Sequence, residues 1–226
     1  MEYFSMDEKT KANSEMITVF KFKFLYKAFG NNFFKLLDIG AGNNSAIKAK
    51  KNFPSCEYYG VDISKDYNNE DSNFSLMKDF YEIDLTKLDY SIMPDNFFDY
   101  IQMAHIIEHL YNGDEVIKQL VSKLKKDGFI YIEYPGQKST KLPSMNGTLN
   151  FYDDNTHVRI YSVKEIETIL IEKGFEILNS GTRRNLIYIL TMPFRIIVSL
   201  ITTRKLQGNH FWDLLGFAEF VYAKKK

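Results

Sequence analysis

Two patterns of apolar residues alternate along this chain. One is a short, nearly continuous apolar run; the other is a longer segment with apolar positions three or four residues apart. The runs read as strands: Phe34–Ile39, Tyr58–Asp62, Phe80–Leu85, Phe97–Met103, Phe129–Tyr134, Phe175–Leu178 and Glu219–Ala223. Runs this apolar suit strands covered on both faces. The amphipathic segments read as helices. The first spans about Lys11 to Gly30, with Met16, Phe20, Phe24 and Ala28 on one face, and is expected over the sheet edge or the ligand. The second runs from Ser45 to about Asn52, before Pro54. A third runs from Gly113 to Lys126 on Val116, Leu120 and Leu124. Ser162-Val163-Lys164-Glu165 has the form of a capping box and opens a fourth helix, ending at Lys173-Gly174. Strand and helix therefore alternate. This predicts an α/β fold in which a mostly parallel sheet lies between helix layers and a ligand sits at the strands' C-terminal ends. The last run, Glu219–Ala223, reads as an edge strand. Two polar stretches break the rhythm: Ser64–Asn73, with Tyr67-Asn68-Asn69 inside it, and Gln137–Thr156. A loop as long as the second is more often functional than idle.

Composition narrows the class. The 226 residues suffice for one α/β domain, and 45% hydrophobic with 26% charged side chains is ordinary for a globular protein. The 29 basic and 29 acidic residues cancel, so a nucleic-acid partner is not expected. Cys56 is the only cysteine, which excludes an intrachain disulfide framework and points to a reducing, cytoplasmic setting. The acidic start Met1–Glu8 lacks the apolar core of a signal peptide.

The candidate chemistry begins at Leu37-Asp38-Ile39-Gly40-Ala41-Gly42. A buried strand ends in an acid and turns on glycines, which brings backbone close to a ligand at the start of a helix. Asp62 ends the second strand twenty residues beyond Gly42, where ribose hydroxyls need a carboxylate, and Asp84 ends the third. Ser45 stands where the dinucleotide fingerprint has its third glycine, and no Gly-Lys-Ser/Thr follows to make a P-loop. The pattern suits a ligand with a ribose, an adenine amino group and an ammonium, without a pyrophosphate.

These motifs, with Val61-Asp62-Ile63, Ile83-Asp84-Leu85, Phe98-Asp99-Tyr100-Ile101, Ile107-Glu108-His109-Leu110 and Leu124-Lys125-Lys126-Asp127-Gly128, resemble the class I S-adenosylmethionine-dependent methyltransferases over about residues 34–178. The resemblance implies one domain over 1–226 with a doubly wound, mostly parallel seven-stranded sheet of Rossmann-like methyltransferase type. Its expected parts are an N-terminal helix to residue 30, a core over 34–178 and a last strand over 217–224; the family commonly has only a short link between its last two strands, so 183–212 reads as a C-terminal helical insertion. It also implies S-adenosylmethionine as cofactor. Asp38, Gly40, Ala41 and Gly42 would line its methionine part, and Asp62 with Ile63 its ribose. Asp84 and Leu85 would meet adenine, and Met103 and Ala104 would approach the sulfonium.

Three of the four histidines gather around this rim in the sequence. His105 and His109 follow the fourth strand with Glu108 between them, and His157 precedes the capping box. On a helix, His105, Glu108 and His109 share a face. Three roles stay open: general base for a hydroxyl acceptor, ligand set for a divalent metal, and packing. The metal role rests on similarity to the 2′-O-methyltransferases of small RNAs, where E-x-x-E-H and a later His hold an ion. His105 replaces the first Glu, so the set His105, Glu108, His109 and His157 favours a transition metal over magnesium. An inverted zinc-protease reading of H-x-x-E-H belongs to another fold.

Between Ile177 and Trp212 there is no acid, while Arg183, Arg184, Arg195, Arg204 and Lys205 flank an apolar run. This insertion is expected to act as a lid, as a homodimer contact, or as a peripheral membrane or lipid contact over 186–205. The expected activity is O-methylation of a small molecule: a saccharide, a lipid head group or a secondary metabolite. Histidines, rather than Asn/Asp-Pro-Pro-Tyr, follow strand four, which argues against N-methylation of a nucleic-acid base. The alternatives are a nicotinamide-dependent reductase and a non-catalytic cofactor-binding subunit.

Overall fold

The computed structural model describes residues 19–65 and 70–226. The first residues of the expected N-terminal helix, Met16 among them, and Tyr67-Asn68-Asn69 lie outside the described residues. Seven strands form one sheet in the order β3-β2-β1-β4-β5-β7-β6. They are β1 (Phe34–Ile39), β2 (Cys56–Asp62), β3 (Asp79–Glu82), β4 (Phe98–Ala104), β5 (Leu124–Pro135), β6 (Phe175–Thr182) and β7 (Ala218–Lys225). The first five run parallel, and β7 is antiparallel to both β5 and β6. Chain order reverses between β1 and β4, so their C-terminal ends open the crevice that such sheets use for ligands.

Alternate side chains leave opposite faces of the sheet, and each face builds its own core. On one face Leu36, Tyr58, Tyr100, Tyr131 and Tyr222 pack under α1 (Phe20–Phe29) and α2 (Ser45–Asn52). On the other, Leu37, Ile101, Ile130 and Val221 pack under α4 (Gly113–Leu120) and α5 (Val163–Glu172); the remaining short helix before β3 is α3 (Asp71–Phe74). Helix α1 lies over the middle of the sheet, not its edge. Phe24 meets the rings of Tyr131, Phe220 and Tyr222 at centroid distances of 5.2, 5.3 and 4.8 Å. Cys56 is buried among these side chains, and burial pushes its thiol up to about 12, so it is a packing residue.

Four readings of the pattern change. The last strand is internal: β7 lies between β5 and β6, which leaves β6 at the edge. The helix expected to reach Lys126 stops at Leu120, and Leu124 already starts β5. Register then jumps from Phe98↔Leu124 to Tyr100↔Phe129, with Asp127 in the left-handed region at φ +64°. The turn at Asp127-Gly128 is therefore an irregularity within the strand. The capping box at Ser162 is half formed. Its hydroxyl accepts from the Glu165 amide at 3.3 Å, whereas the Glu165 carboxylate takes the Arg159 guanidinium at 2.7 Å. The β6–β7 connection carries α6 (Leu186–Thr203) and the single turn α7 (Trp212–Leu215), as the helical insertion predicts.

Candidate active site

A cavity of about 890 Å³ opens at the C-terminal ends of β1, β2 and β4. Its floor is the loop after β1. The Gly40 amide donates to the Val61 carbonyl at 2.8 Å, and the Ala41 amide donates to the same oxygen at 3.0 Å. Gly40 has φ +81°, and a Cβ there would lie 2.0 Å from Ile106 Cδ1, so only glycine fits. The other left-handed residues of the loop are Asn43 and Asn44, not Gly42. Gly42 does line the cavity, as do Asp62, Ile63, Asp84, Leu85 and Ala104. Asp38, Ala41 and Met103 are 3%, 0% and 1% exposed, behind the wall. Asp38 accepts from Tyr58 Oη at 2.6 Å and from Gln102 Nε2 at 2.8 Å, and these two bonds hold the end of β1 between its neighbours.

The strand-end acids differ. Burial raises the Asp62 carboxyl, and its Oδ1 accepts the Ile63 amide at 2.8 Å. Asp84 is lowered by the hydrogen bond from the Thr86 hydroxyl at 2.6 Å, with the Thr86 amide at 3.0 Å; it caps the turn Leu85–Lys87 while lining the cavity. The chemistry of this donor set fits S-adenosylmethionine. A carboxylate stands where a ribose diol would bind, apolar Ile63 and Leu85 flank the space for a planar base, and a bare backbone loop faces the amino-acid end.

The histidines converge, but not on a regular helix. His105 follows β4 in the left-handed region at φ +58°, a conformation that costs a residue with a side chain about 1 kcal/mol, and the turn Ile107–His109 comes next. His105 lies between two carboxylates: Nε2 is 3.0 Å from Glu133 Oε1 and Nδ1 is 3.3 Å from Glu108 Oε1. Burial works against the charged ring, but the two carboxylates outweigh it and lift the pKa to about 9. Glu133 is held well below the usual carboxylate range. Burial opposes its charge, and the Arg183 guanidinium at 2.8 Å, with His105, overcomes that opposition. Arg183 also grips Asp213, with Nε donating to Oδ1 at 3.0 Å and Nη2 to Oδ2 at 2.8 Å. It is therefore part of a buried ion-pair network. Trp212, its ring 5.0 Å from that of His105, completes the wall.

His109 lines the cavity, whereas Glu108 and His157 sit behind it. The Thr156 hydroxyl donates to Asp154 Oδ1 at 2.5 Å, so its oxygen accepts from His109 Nδ1 at 2.9 Å. That tautomer leaves Nε2 with the lone pair. His157 Nδ1 donates to the Phe151 carbonyl at 2.6 Å, which turns Nε2 toward Glu108 Oε1 at 4.0 Å. The loop 137–161 is bound to the cluster through its backbone, since the Val158 and Arg159 amides both donate to the Glu108 carbonyl, at 2.8 and 3.2 Å.

Sequence reasoning missed Glu133, Trp212 and two residues of α6, Tyr188 and Arg195, all of which line the cavity. An acid within an otherwise apolar strand was the available signal for Glu133, because a buried carboxylate requires a partner. Val19, Phe20 and Lys21 also reach the cavity, which places the start of α1 at its wall.

No curated protein matches the sequence. Solved structures do match in fold. A S-adenosylmethionine-dependent methyltransferase from Archaeoglobus fulgidus is 22% identical, with all of both chains covered and a TM-score of 0.57. Haemonchus contortus phosphoethanolamine N-methyltransferase 2, in complex with S-adenosyl-L-methionine, is 20% identical over 89% of this chain and 51% of its own, at 0.61. The Burkholderia thailandensis 1,6-didemethyltoxoflavin-N1-methyltransferase is 13% identical over 97% and 83%, at 0.58. A family model described as a methyltransferase domain matches residues 9–180, well over half of the chain. The chain therefore belongs to that family and is a class I S-adenosylmethionine-dependent methyltransferase.

Proposed function

We propose that the enzyme methylates a hydroxyl of a small anionic molecule, with His109 as general base and Arg195 as the receptor for the acceptor's negative charge. Family membership selects methyl transfer over the nicotinamide-dependent and non-catalytic alternatives. Gly40, Gly42, Asp62, Ile63, Asp84 and Leu85 would hold the cofactor, which supplies an electrophilic methyl group on a sulfonium. The chain's own task is then to bring the acceptor oxygen into line and to take its proton as the new C–O bond forms. His109 Nε2 suits that task because the Asp154–Thr156–His109 chain fixes the tautomer. His105, charged at neutral pH, has no lone pair to offer; it positions the rim by tying Glu108 to Glu133.

The observation that supports an anionic acceptor is Arg195. It lines the cavity, stacks over Tyr188 at 4.3 Å, and has Nη1 buried without a hydrogen-bond acceptor among the described residues. Both ring nitrogens of His210 are likewise buried and unpartnered, and its pKa is lowered by burial and then by the Arg195 charge. A buried guanidinium N–H without an acceptor is costly, and a phosphate or carboxylate in the cavity would satisfy that of Arg195. A saccharide, lipid head group or secondary metabolite bearing such a group qualifies.

The test is transfer of labelled methyl to hydroxylated acceptors with and without a phosphate or carboxylate. His109→Gln is expected to lower kcat by about 10²–10⁴ while affinity for S-adenosylhomocysteine is unchanged. Arg195→Gln is expected to raise the acceptor KM about tenfold or more at constant kcat. Equal turnover of neutral acceptors would remove the anion receptor, and a parallel loss of cofactor affinity would make His109 structural.

A second reading has its own support. Glu108 Oε2 is buried without a hydrogen-bond donor among the described residues, Oε1 has only the His105 ring at 3.3 Å, and ligand atoms of Glu108, His109 and His157 lie within 4.8 Å of one another. A divalent ion would satisfy them, with zinc preferred for two imidazoles and one carboxylate. Metal content after dialysis with zinc, compared between the wild type and Glu108→Gln, decides between the two readings.

A further inference from the structure

Helix α6 has two unlike faces. Its inner face carries Tyr188 and Arg195 to the cavity, and Ser199 is its only buried residue. Its outer face carries Leu186, Leu190, Phe194, Ile197 and Ile201, each between 55% and 79% exposed. Their spacing of four, four, three and four residues makes one continuous stripe along 18 residues, about 27 Å of helix. A contiguous apolar patch of this kind on a folded domain marks a surface meant to be covered.

We infer that this stripe docks on the surface of an anionic bilayer, with α6 lying in the plane of the interface. Crossing the bilayer is ruled out by the attachments at both ends. Before the helix, the Asn185 amide donates to Asp213 Oδ1 at 2.9 Å; after it, the Gly208 amide donates to the Asn146 carbonyl at 2.6 Å. Both ends of the helix are thus fastened to the same domain, and Pro193 and Arg195 occupy its middle. Charge selects the occupant. No acid occurs from Ile177 to Trp212, and Arg204 and Lys205, just beyond the helix, are exposed with no ion pair among the described residues. Two copies of the chain meeting through this face would bring like charges together, whereas anionic lipid head groups complement them. The opposite face lines the cavity, so a docked enzyme holds its acceptor site beside the head groups. The docking surface does not depend on which atom is methylated or on the anion receptor.

The test is co-sedimentation of the full chain with vesicles of phosphatidylcholine alone and of phosphatidylcholine with phosphatidylglycerol. The wild type is expected to sediment with the anionic vesicles, less so at high salt. Leu190→Glu combined with Phe194→Glu should lower that partition about tenfold or more. Because both side chains are exposed, the melting temperature and circular dichroism should not change. Arg204→Glu with Lys205→Glu should abolish the preference for anionic vesicles about as strongly. Failure of the wild type to sediment with anionic vesicles overturns the inference. So does sedimentation that the stripe variant does not weaken, or a wild-type dimer that the stripe variant turns into a monomer. None of these readouts uses methyl transfer, so a negative result here is distinct from failure of the proposed reaction.

Discussion

At the scale of single residues, the site depends on conformations and charges with little tolerance. Gly40 combines a left-handed φ of +81° with contact against Ile106. Gly40→Ala is expected to cost about 1–2 kcal/mol from backbone strain alone and to weaken cofactor binding as Ile106 is displaced. Adding Ile106→Ala should restore part of the affinity while the strain remains. Calorimetric titration with S-adenosylhomocysteine, alongside thermal melts, separates the two effects. The glycine was legible in the sequence because an apolar strand ending in Asp-Ile-Gly-Ala-Gly has few other uses. The charges were less legible. His105 was visible as a candidate, and so was Glu108, three residues on, one of the two carboxylates that hold its charge; the other, Glu133, lies 28 residues away and is itself held by Arg183, a further 50 residues along. No local pattern carries such a chain. The partner that Arg183 shares with this network, Asp213, lies a further 30 residues along.

At the scale of elements, one acid holds the loop 137–161. Asp153 Oδ2 accepts the amides of Met145, Leu149 and Asn150 at 3.1, 2.8 and 2.8 Å, and Oδ1 accepts the Ser144 hydroxyl. Burial opposes its charge, and these donors outweigh it, so the pKa falls to about 2. A carboxyl with a folded pKa below its unfolded value adds stability that is complete above the unfolded pKa. That stability is lost as pH falls through the folded one. The wild type should therefore lose melting temperature as pH drops from about 4 to about 2, and Asp153→Asn should flatten that limb. If the variant instead follows the wild-type acid profile at a uniform offset, the loop does not contribute through this titration. Because the same loop carries His157 and Thr156, its loosening should lower methyl transfer before it lowers cofactor affinity. Regular elements were read well where the pattern was local: β1 and α2 fall on the residues expected. The third helix was read too long because Leu124 continues its apolar spacing, and pairing with Phe98, which no spacing reveals, makes it strand.

At the scale of the whole molecule, the parallel half of the sheet follows chain order closely enough to be read from alternation, and the other half does not. The last apolar run, 219–223, matches an edge strand in length and composition, yet β7 bonds to β5 on one side and to β6 on the other. Its neighbours are 83 to 95 residues away along the β5 register and 37 to 50 along the β6 register. That position has a kinetic meaning. Until residues 218–225 take their place, β5 and β6 each present a row of unpaired amides and carbonyls. Sheet closure is then a late, long-range event of the slow kind expected for pairings of high sequence separation. In pulse-labelled hydrogen exchange during refolding, amides of β5 that face β7 should gain protection together with those of β7 itself, after the β1, β2 and β4 amides. Early protection of β7 would mean that the antiparallel pair forms first. A nascent chain waiting for its last strand would thus carry two adhesive edges side by side, and the final eight-residue segment acts as the stopper that keeps them from joining other chains.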